Sequence, residues 1–434
     1  MEKVLVIGCA RSGYWVSKLL NKKGYDVTIT DAKIIKEKNE LEGLGIKVFD
    51  NGHPDILRNE EWSFVVKNPG IPYSNDFVKY FVEKKIDIFT EIEIALRYPI
   101  FYDVAAVTGT NGKTTITTLL YKILKENTLA YPCGNIGTAL SEVVYNHENE
   151  SANIALEISA FQLLGAPSFH PEVAVITNLT PDHLDYFDSL QDYYDAKNLI
   201  YKNMKGNDDW FLRNIDDETV MANMKEINCR VVDYSLEKEA DLMLKGDDVT
   251  LFGEVLFNKN DLKIIGKHNL QNAMVAAAMA YKLDATKESI RRVISNFKGV
   301  EHRIEFVETI DGVSYYNDSK GTNVDSTITA LKAFNKPVIL LAGGHDKHTG
   351  FKELETYKNK IKKLITFGET KNELAKLKDD SIICETMEEA LNMAKQLAKK
   401  DDVVLLSPAC SSYDQFKNFE ERGEIFKELV RKFK

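Results

Sequence analysis

Short apolar, β-branched runs recur at residues 4–7, 27–30 and 64–66. Between the first two lies a stretch, 14–23, whose apolar side chains return every three or four positions. A brief unbroken apolar run suits a strand covered on both faces, and the three-to-four period suits an amphipathic helix. The opening of the chain therefore predicts a parallel sheet with crossover helices. Asn68-Pro69-Gly70-Ile71-Pro72 breaks the pattern after a strand, a further short strand is expected at 87–89, and a helix-like stretch at 91–97 leads to a boundary near Pro99.

The alternation then restarts. A strand at 104–107 runs into a Gly- and Thr-rich turn and a helical stretch at 114–126, and two more buried strands are expected at 154–156 and 173–176. From about 230 to 265 short strand-like pieces alternate with turn residues, which predicts a small antiparallel appendage, and the Ala- and Met-rich stretch 272–281 predicts a buried helix. A third series of strands is expected at 313–316, 338–342, 364–367 and 403–406. The fold class is therefore α/β, in three domains: an N-terminal Rossmann-like parallel sheet (1–97), a central P-loop ATPase-type α/β domain with the antiparallel appendage (98–299), and a C-terminal Rossmann-like α/β domain (300–434).

Length agrees, since 434 residues with 44% apolar content exceed what one ordinary core accommodates. Lysine and arginine total 56 against 66 acidic residues, a net charge of −10. The acids are spread along the chain, so no domain-wide basic face for nucleic acid is expected and any phosphate must be held locally. Five cysteines without C-x-x-C spacing fit a reducing compartment. The start of the chain shows no secretory pattern and no apolar run reaches membrane-spanning length, so a cytoplasmic location is expected.

The strongest local chemistry is Thr108-Gly109-Thr110-Asn111-Gly112-Lys113-Thr114-Thr115, between a buried strand and a helix. Glycines let backbone N–H groups turn onto a polyanion, the helix N-terminus adds a positive dipole end, Lys113 neutralises phosphate charge, and the Thr114 hydroxyl can ligate Mg²⁺. It is a shortened P-loop, because Val107 stands where the longer pattern has glycine. The turn Gly8-Cys9-Ala10-Arg11-Ser12-Gly13, with Asp31 ending the next strand, resembles a dinucleotide fingerprint whose middle glycine is Ala10, and an unliganded tight turn reads equally well. Glu157-Ile158-Ser159-Ala160-Phe161-Gln162 and Asn178-Leu179-Thr180-Pro181-Asp182-His183-Leu184-Asp185 both follow strand ends, where open α/β sheets place ligands. Glu157 and His183 are candidate Mg²⁺ ligands there. His183 as a hydrolase base lacks an accompanying nucleophile elbow.

In order and spacing, GTNGKTT, EISAFQL, NLTPDHLDYFDSLQDYYDAK, GKHNLQNA, EHRIEF, NDSKGTN, LLAGGHDK and LLSPACSSYDQFKNFEERG resemble the Mur ligases, over all three domains. Within that family they resemble the branch that adds D-glutamate to UDP-N-acetylmuramoyl-L-alanine through an acyl phosphate made from ATP. The resemblance implies that Gly109, Thr110, Asn111, Gly112, Lys113, Thr114 and Thr115 bind ATP phosphates, with Asn272 at the adenine and Arg303 and Asp318 reaching the nucleotide from the C-terminal domain on domain closure. It implies two Mg²⁺ sites drawing on Thr114, Glu157, His183 and a carbamylated Lys197, and a catalytic set of Lys113, His183, Lys197 and Lys320. Arg11, Ser12, Asp31 and Gly70 fall where the family binds uridine and diphosphate, and Asn135 where it contacts the muramoyl-peptide part. Thr322, Lys347, Ser412 and Phe419 fall in the D-glutamate pocket, where Gly321 stands in place of a common alanine. A monomer is expected.

Rival readings separate on particular positions. An alanine-adding relative typically carries histidine in place of Asn111, a diaminopimelate-adding one is expected to show a D-N-P-R-type element, and a folylpolyglutamate synthase normally lacks the SPACSSYDQF block. A reading from another class, a P-loop switch that makes no covalent product, has no use for Thr322, Lys347, Ser412 and Phe419.

Overall fold

The computed structural model describes the chain apart from residues 99–100, 149, 183–185, 346–349 and 434. Three sheets follow one another along the sequence. The first comprises β1 (Lys3–Ile7), β2 (Asp26–Thr30), β3 (Lys47–Phe49), β4 (Phe64–Lys67) and β5 (Ile88–Phe89), in the order β3-β2-β1-β4-β5. All its pairings are parallel, with Val4 opposite Val27 and Phe64. Both faces are covered: Val4, Val6, Val27 and Ile29 pack with Val16 and Leu20, and Leu5, Ile7 and Val65 pack with Phe77, Val78 and Phe81. That double burial is why the strands read as unbroken apolar runs.

The second sheet comprises β6 (Phe101–Thr108), β7 (Ala130–Gly134), β8 (Ser151–Glu157), β9 (Val173–Ile176), β10 (Gly206–Asn214), β11 (Cys229–Ser235), β12 (Leu242–Lys245), β13 (Asp248–Leu251) and β14 (Glu254–Asn258). Its order is β14-β13-β12-β11-β10-β9-β6-β8-β7. The antiparallel part is a meander, β12 to β14, that continues the edge of this sheet. It begins later than residue 230, because β11 pairs parallel with β10 as part of the main sheet. Helix Lys267–Lys282 contains the expected apolar stretch, and residues 273–280 along it are all fully buried.

The third sheet comprises β15 (Glu305–Ile310), β16 (Val313–Asn317), β17 (Val338–Gly343), β18 (Ile361–Phe367), β19 (Ile382–Ile383) and β20 (Val403–Leu406), in the order β15-β16-β20-β17-β18-β19. It is parallel except for the β15–β16 hairpin at its edge. Two apolar clusters cover its faces, one around Leu331, Leu340 and Leu405 and the other around Leu341, Leu406 and Phe426.

By compactness the chain forms two units. One holds residues 1–261 and 271–294, hence the first two sheets; the other holds 262–270 and 295–434. Within the first unit Leu19, Ile92 and Ala95 join the core of the second sheet. Glu91 and Glu93, both buried, accept hydrogen bonds from the backbone N–H groups of Ser141 (2.9 Å) and Ser168 (3.0 Å). Among the described residues no helix is long and apolar enough to cross a membrane.

Candidate active site

β6 lies between β8 and β9, so the carboxyl ends of these parallel strands open side by side, with Val107 in register with Glu157 and Thr108 with Ile176. This is where an open parallel sheet receives ligands. The turn after β6 reaches helix Lys113–Lys125, whose N-cap Gly112 has φ +89° and offers no side chain to the first N–H groups. Gly109, at φ +130°, has no room for a Cβ, which would stand 2.0 Å from Thr177 Oγ1. The loop backbone is held from β9's far end: Asn111 N–H donates to Asn178 Oδ1 (2.9 Å), and Thr177 Oγ1 (2.6 Å) and Asn178 Nδ2 (3.0 Å) donate to Asn111 O. Thr110 Oγ1 donates to Thr180 O and accepts from Thr180 N–H. The result is a rigid turn ending in the open N-terminus of a thirteen-residue helix, a ready anion site.

Lys113 Nζ donates to Gly109 O and Thr110 O, each at 2.8 Å. Lys197 reaches the same turn from helix Leu190–Asn198, which Ser189 caps by accepting from Asp192 N–H. Its Nζ donates to Gly109 O at 2.9 Å and lies 4.5 Å from the Tyr193 ring centroid. The side chain is 2% exposed, unlike a solvent-facing lysine on a helix surface. Burial, then the charge of Lys113, drives the Lys197 amine well below the usual lysine range, against the opposing pull of Asp182 and Glu157.

Glu157, also 2% exposed, ends β8. Its Oε1 accepts from Asn135 Nδ2 at 3.0 Å, while the buried Oε2 accepts no hydrogen bond from the described residues. A buried carboxylate oxygen without a donor is costly unless a cation completes it, and an oxygen donor beside the Thr114 hydroxyl-bearing helix start suits Mg²⁺. Asn272 lies inside helix Lys267–Lys282, not at its N-cap, and abuts the P-loop closely enough that a Cβ on Gly112 would stand 2.7 Å from its Oδ1. Gly109 to Thr115, Glu157, Lys197, Asn135 and Asn272 thus converge within the first unit. His183 lies outside the described residues.

At the first sheet, Gly8 (φ +93°) and Gly13 make the βα turn, and a Cβ on Gly13 would strike the Gly8 carbonyl. Helix Arg11–Lys22 starts without a side-chain cap or an acid in its first turn. Asp31 accepts from Cys9 N–H (2.6 Å) and Lys33 N–H (2.8 Å), pinning this turn to the end of β2. Asn68 joins the turn to the next loop, donating to Ser12 Oγ (3.3 Å) and accepting from Gly70 N–H (3.1 Å).

In the second unit, Asp318 is fully buried at the end of β16. It accepts from Ser407 Oγ (2.6 Å) and Ile304 N–H (3.2 Å), with Arg303 Nη1 at 3.7 Å. This is no surface ion pair. Burial raises the Asp318 carboxyl to about 6 in spite of Arg303. His302 (φ +61°) and Ile304 (φ +45°) flank Arg303 in the left-handed region, rare for any side chain and strained for a β-branched one, as happens where surroundings impose a geometry. A Cβ on Gly321 would stand 2.5 Å from Asp318 Oδ2, so alanine does not fit this packing. Thr322 N–H donates to Lys320 O, and Lys320 Nζ lies 5.7 Å from the Phe419 ring centroid. Ser412 is buried. Lys347 lies outside the described residues.

Sequence reasoning left Arg422 unassigned. It is completely buried and donates to Ser319 Oγ and O, Ser411 O and Cys410 O, clamping the 407–412 loop to the 318–320 loop. Its position within the last block was visible, but burial and partners were not. Tyr193 and Asn178 were likewise visible without a role. Among the described residues Glu301, His302 and Glu424 could together approach a metal ion, but Lys427 Nζ already pairs with both carboxylates, 2.5 Å from Glu301 and 2.8 Å from Glu424.

A phosphate-cradling turn on a parallel sheet, faced by a buried carboxylate and a buried amine, defines a P-loop protein built for phosphoryl chemistry. Residues 107–280 match the Mur ligase middle domain and residues 302–410 the Mur ligase glutamate ligase domain. UDP-N-acetylmuramoylalanine–D-glutamate ligase of Bacillus subtilis (strain 168) is 39% identical over 445 residues, covering 100% of this chain and 98% of that protein. The ligase of the same name from Geobacillus sp. (strain WCH70) is 40% identical over 451 residues, with the same coverage. The chain belongs to the Mur ligase family. Its fold is also that of the Thermotoga maritima MurF ligase solved in complex with ADP, with a TM-score of 0.63 at 19% identity over 95% of this chain and 97% of that one. It is likewise that of the UDP-N-acetylmuramate-alanine ligase of Thermotoga maritima, at TM-score 0.60, 18% identity and 100% of both chains.

Proposed function

We propose that this protein is the ligase that joins D-glutamate to UDP-N-acetylmuramoyl-L-alanine, consuming ATP, during cytoplasmic peptidoglycan precursor synthesis, and that it acts as a monomer. The observation that carries the reading is the meeting of Lys113, Lys197 and Glu157 at the mouth of the P-loop. Full-length relatives of that name at 39% and 40% identity support the choice of substrate.

A carboxylate is a poor acyl donor because its oxygen is a poor leaving group. In the proposed reaction the L-alanyl carboxylate oxygen bonds to the γ-phosphorus of ATP as the bond to ADP breaks. The D-glutamate amine then bonds to the acyl carbon, the C–O bond breaks and phosphate leaves. Both steps crowd negative charge, which fixed cations offset better than mobile water. Lys113 and the N–H groups from Gly112 onward hold the phosphates in this scheme, Asn272 meets the adenine, and Arg303 and Asp318 meet the rest of the nucleotide. Thr114 and Glu157 would hold one Mg²⁺, a role suited to the donorless Glu157 Oε2, and His183 a second. Bound there, Mg²⁺ supplies Lewis acidity and charge neutralisation.

Lys197 is well suited to carbamylation. Its depressed basicity leaves a neutral amine, whose nitrogen bonds to the carbon of CO₂ and loses a proton, giving an anion able to ligate a cation. Arg11, Ser12, Asp31 and Gly70 bind the UDP part, Asn135 the muramoyl-peptide part, and Thr322, Lys347, Ser412 and Phe419 the D-glutamate, with Lys320 offsetting charge at the acyl centre.

The test is phosphate release from Mg-ATP and UDP-N-acetylmuramoyl-L-alanine with D-glutamate, L-glutamate, L-lysine or diaminopimelate. Release that needs D-glutamate, with a product heavier by one glutamyl residue, is expected. Release that follows another amino acid would move the substrate, and release indifferent to all of them would leave a nucleotide switch.

A further inference from the structure

Lys67 ends β4, 1% exposed, and none of its contacts among the described residues is a carboxylate. A lysine taken out of water without a counter-ion is costly unless acceptors surround it, and burial alone lowers this amine to about 7. The acceptors come from the loop that follows. Lys67 Nζ donates to Ile71 O at 2.8 Å, Tyr186 Oη at 3.2 Å and Pro69 O at 3.4 Å, with Asn68 O at 3.5 Å and the Tyr73 ring centroid at 4.5 Å. Tyr186 in turn donates to Pro69 O (3.2 Å) or Ile71 O (3.3 Å), so the Lys67 amine and one hydroxyl close a small network.

Two things follow from the loop wrapping the Lys67 amine. Its carbonyls point inward, which fixes the backbone around Gly70. Asn68, at the root of the loop, is thereby held against the first βα turn, where it donates to Ser12 Oγ and packs so closely on Gly8 that a Cβ there would stand 2.8 Å from Asn68 Cβ. The other tie runs to the second sheet, because the Tyr186 ring lies tilted against that of Phe161 (4.3 Å between centroids), which follows the buried Glu157 by a few residues.

We propose that Lys67 is a positioning residue for the UDP-bearing substrate: with Tyr186 it shapes the 68–71 loop and sets the affinity for the uridine diphosphate moiety, without touching the reacting atoms. This rests on the proposed function for the identity of the ligand, and a binding readout keeps the two separable. Lys67→Met keeps the bulk but leaves Pro69 O, Ile71 O and Tyr186 Oη without their donor, and Tyr186→Phe removes only the hydroxyl.

Calorimetric titration with UDP should give a Kd about tenfold weaker for Lys67→Met and a few-fold weaker for Tyr186→Phe, on the scale of one buried hydrogen-bond network lost. The double variant should be no weaker than Lys67→Met, since both act through one network. In turnover, KM for the UDP substrate should rise while kcat and KM for ATP stay within about threefold, as expected when binding shared equally by the ground and transition states is lost. An unchanged Kd, additive effects in the double variant, or a parallel fall in kcat and ATP affinity would overturn the proposal. Tyr186→Phe answers the question by itself if Lys67→Met fails to fold. Wild-type protein that binds UDP but ligates nothing would count against the ligase reading and leave this one standing.

Discussion

A lysine 2% exposed and bonded to a P-loop carbonyl is not an ordinary solvent cation. Replacing Lys197 by alanine should lower turnover about 10²-fold, the scale of one lost preorganised charge. Short carboxylic acids added to the assay should restore part of it by standing in for the carbamate; full activity without them would remove that role. Lys113→Ala should fall at least as far and not respond to the acids. Asp318 makes a claim about pH. Its carboxyl is raised from 3.8 to about 6, so the folded state holds the proton more tightly than the unfolded one. That contribution to stability is fully present below pH 3.8 and is lost as pH rises through about 6. Urea midpoints measured across this window should show the stability of Asp318→Asn falling less, or rising more, with pH than that of wild type, since the variant lacks a term that falls with pH. Identical slopes would show that the carboxyl titrates normally. The ATP KM of wild type should rise below about 6, as the acceptor carboxylate is lost, and that limb should be missing from the variant.

At the scale of elements, the P-loop works because two glycines occupy backbone that other residues adopt only under strain. Gly112→Ala combines a positive φ with a Cβ 2.7 Å from Asn272 Oδ1. The strain is about 1–2 kcal/mol, and the ATP Kd should weaken about tenfold as the turn shifts. Equal nucleotide affinity in the variant would show that the turn relaxes without cost. A different element carries an ordinary cap: Asn418 accepts from Glu421 N–H at the start of helix Phe419–Arg431. Asn418→Ala should cost about 1 kcal/mol in urea unfolding and leave nucleotide binding intact. The apolar runs of β1, β2, β6, β9, β17 and β20 were legible because both faces of these sheets are buried. β10 was not, since Gly206-Asn207-Asp208-Asp209 opens it with polar residues and only its later half enters the core. β3 and β19 are so short that they carry little periodic signal.

For the whole molecule, two compact units with separate cores predict more than one unfolding transition. Calorimetry with Mg-ATP at about 100 times its Kd should raise the transition of the P-loop unit by the equivalent of about 2.7 kcal/mol. A single transition, unmoved by Mg-ATP, would contradict both the division and the nucleotide site.

Sequence alone determined the α/β class, the P-loop and the family, and marked Lys113, Thr114 and Glu157 as candidates, because each rests on residues adjacent in the chain or on an ordered set of motifs. Backbone conformation and residue type act locally there, so a strand, a glycine turn and a helix start can be read in succession. Tertiary structure decided what depends on burial and on partners far along the chain. It showed Lys197 to be a desolvated amine, left Glu157 Oε2 without a donor among the described residues, and made Arg422 the clamp of two distant loops. It also enclosed Lys67 in carbonyls. The reason is physical: the cost of removing a charge from water and the partners that offset it are properties of the packed surroundings, which no single stretch of sequence contains.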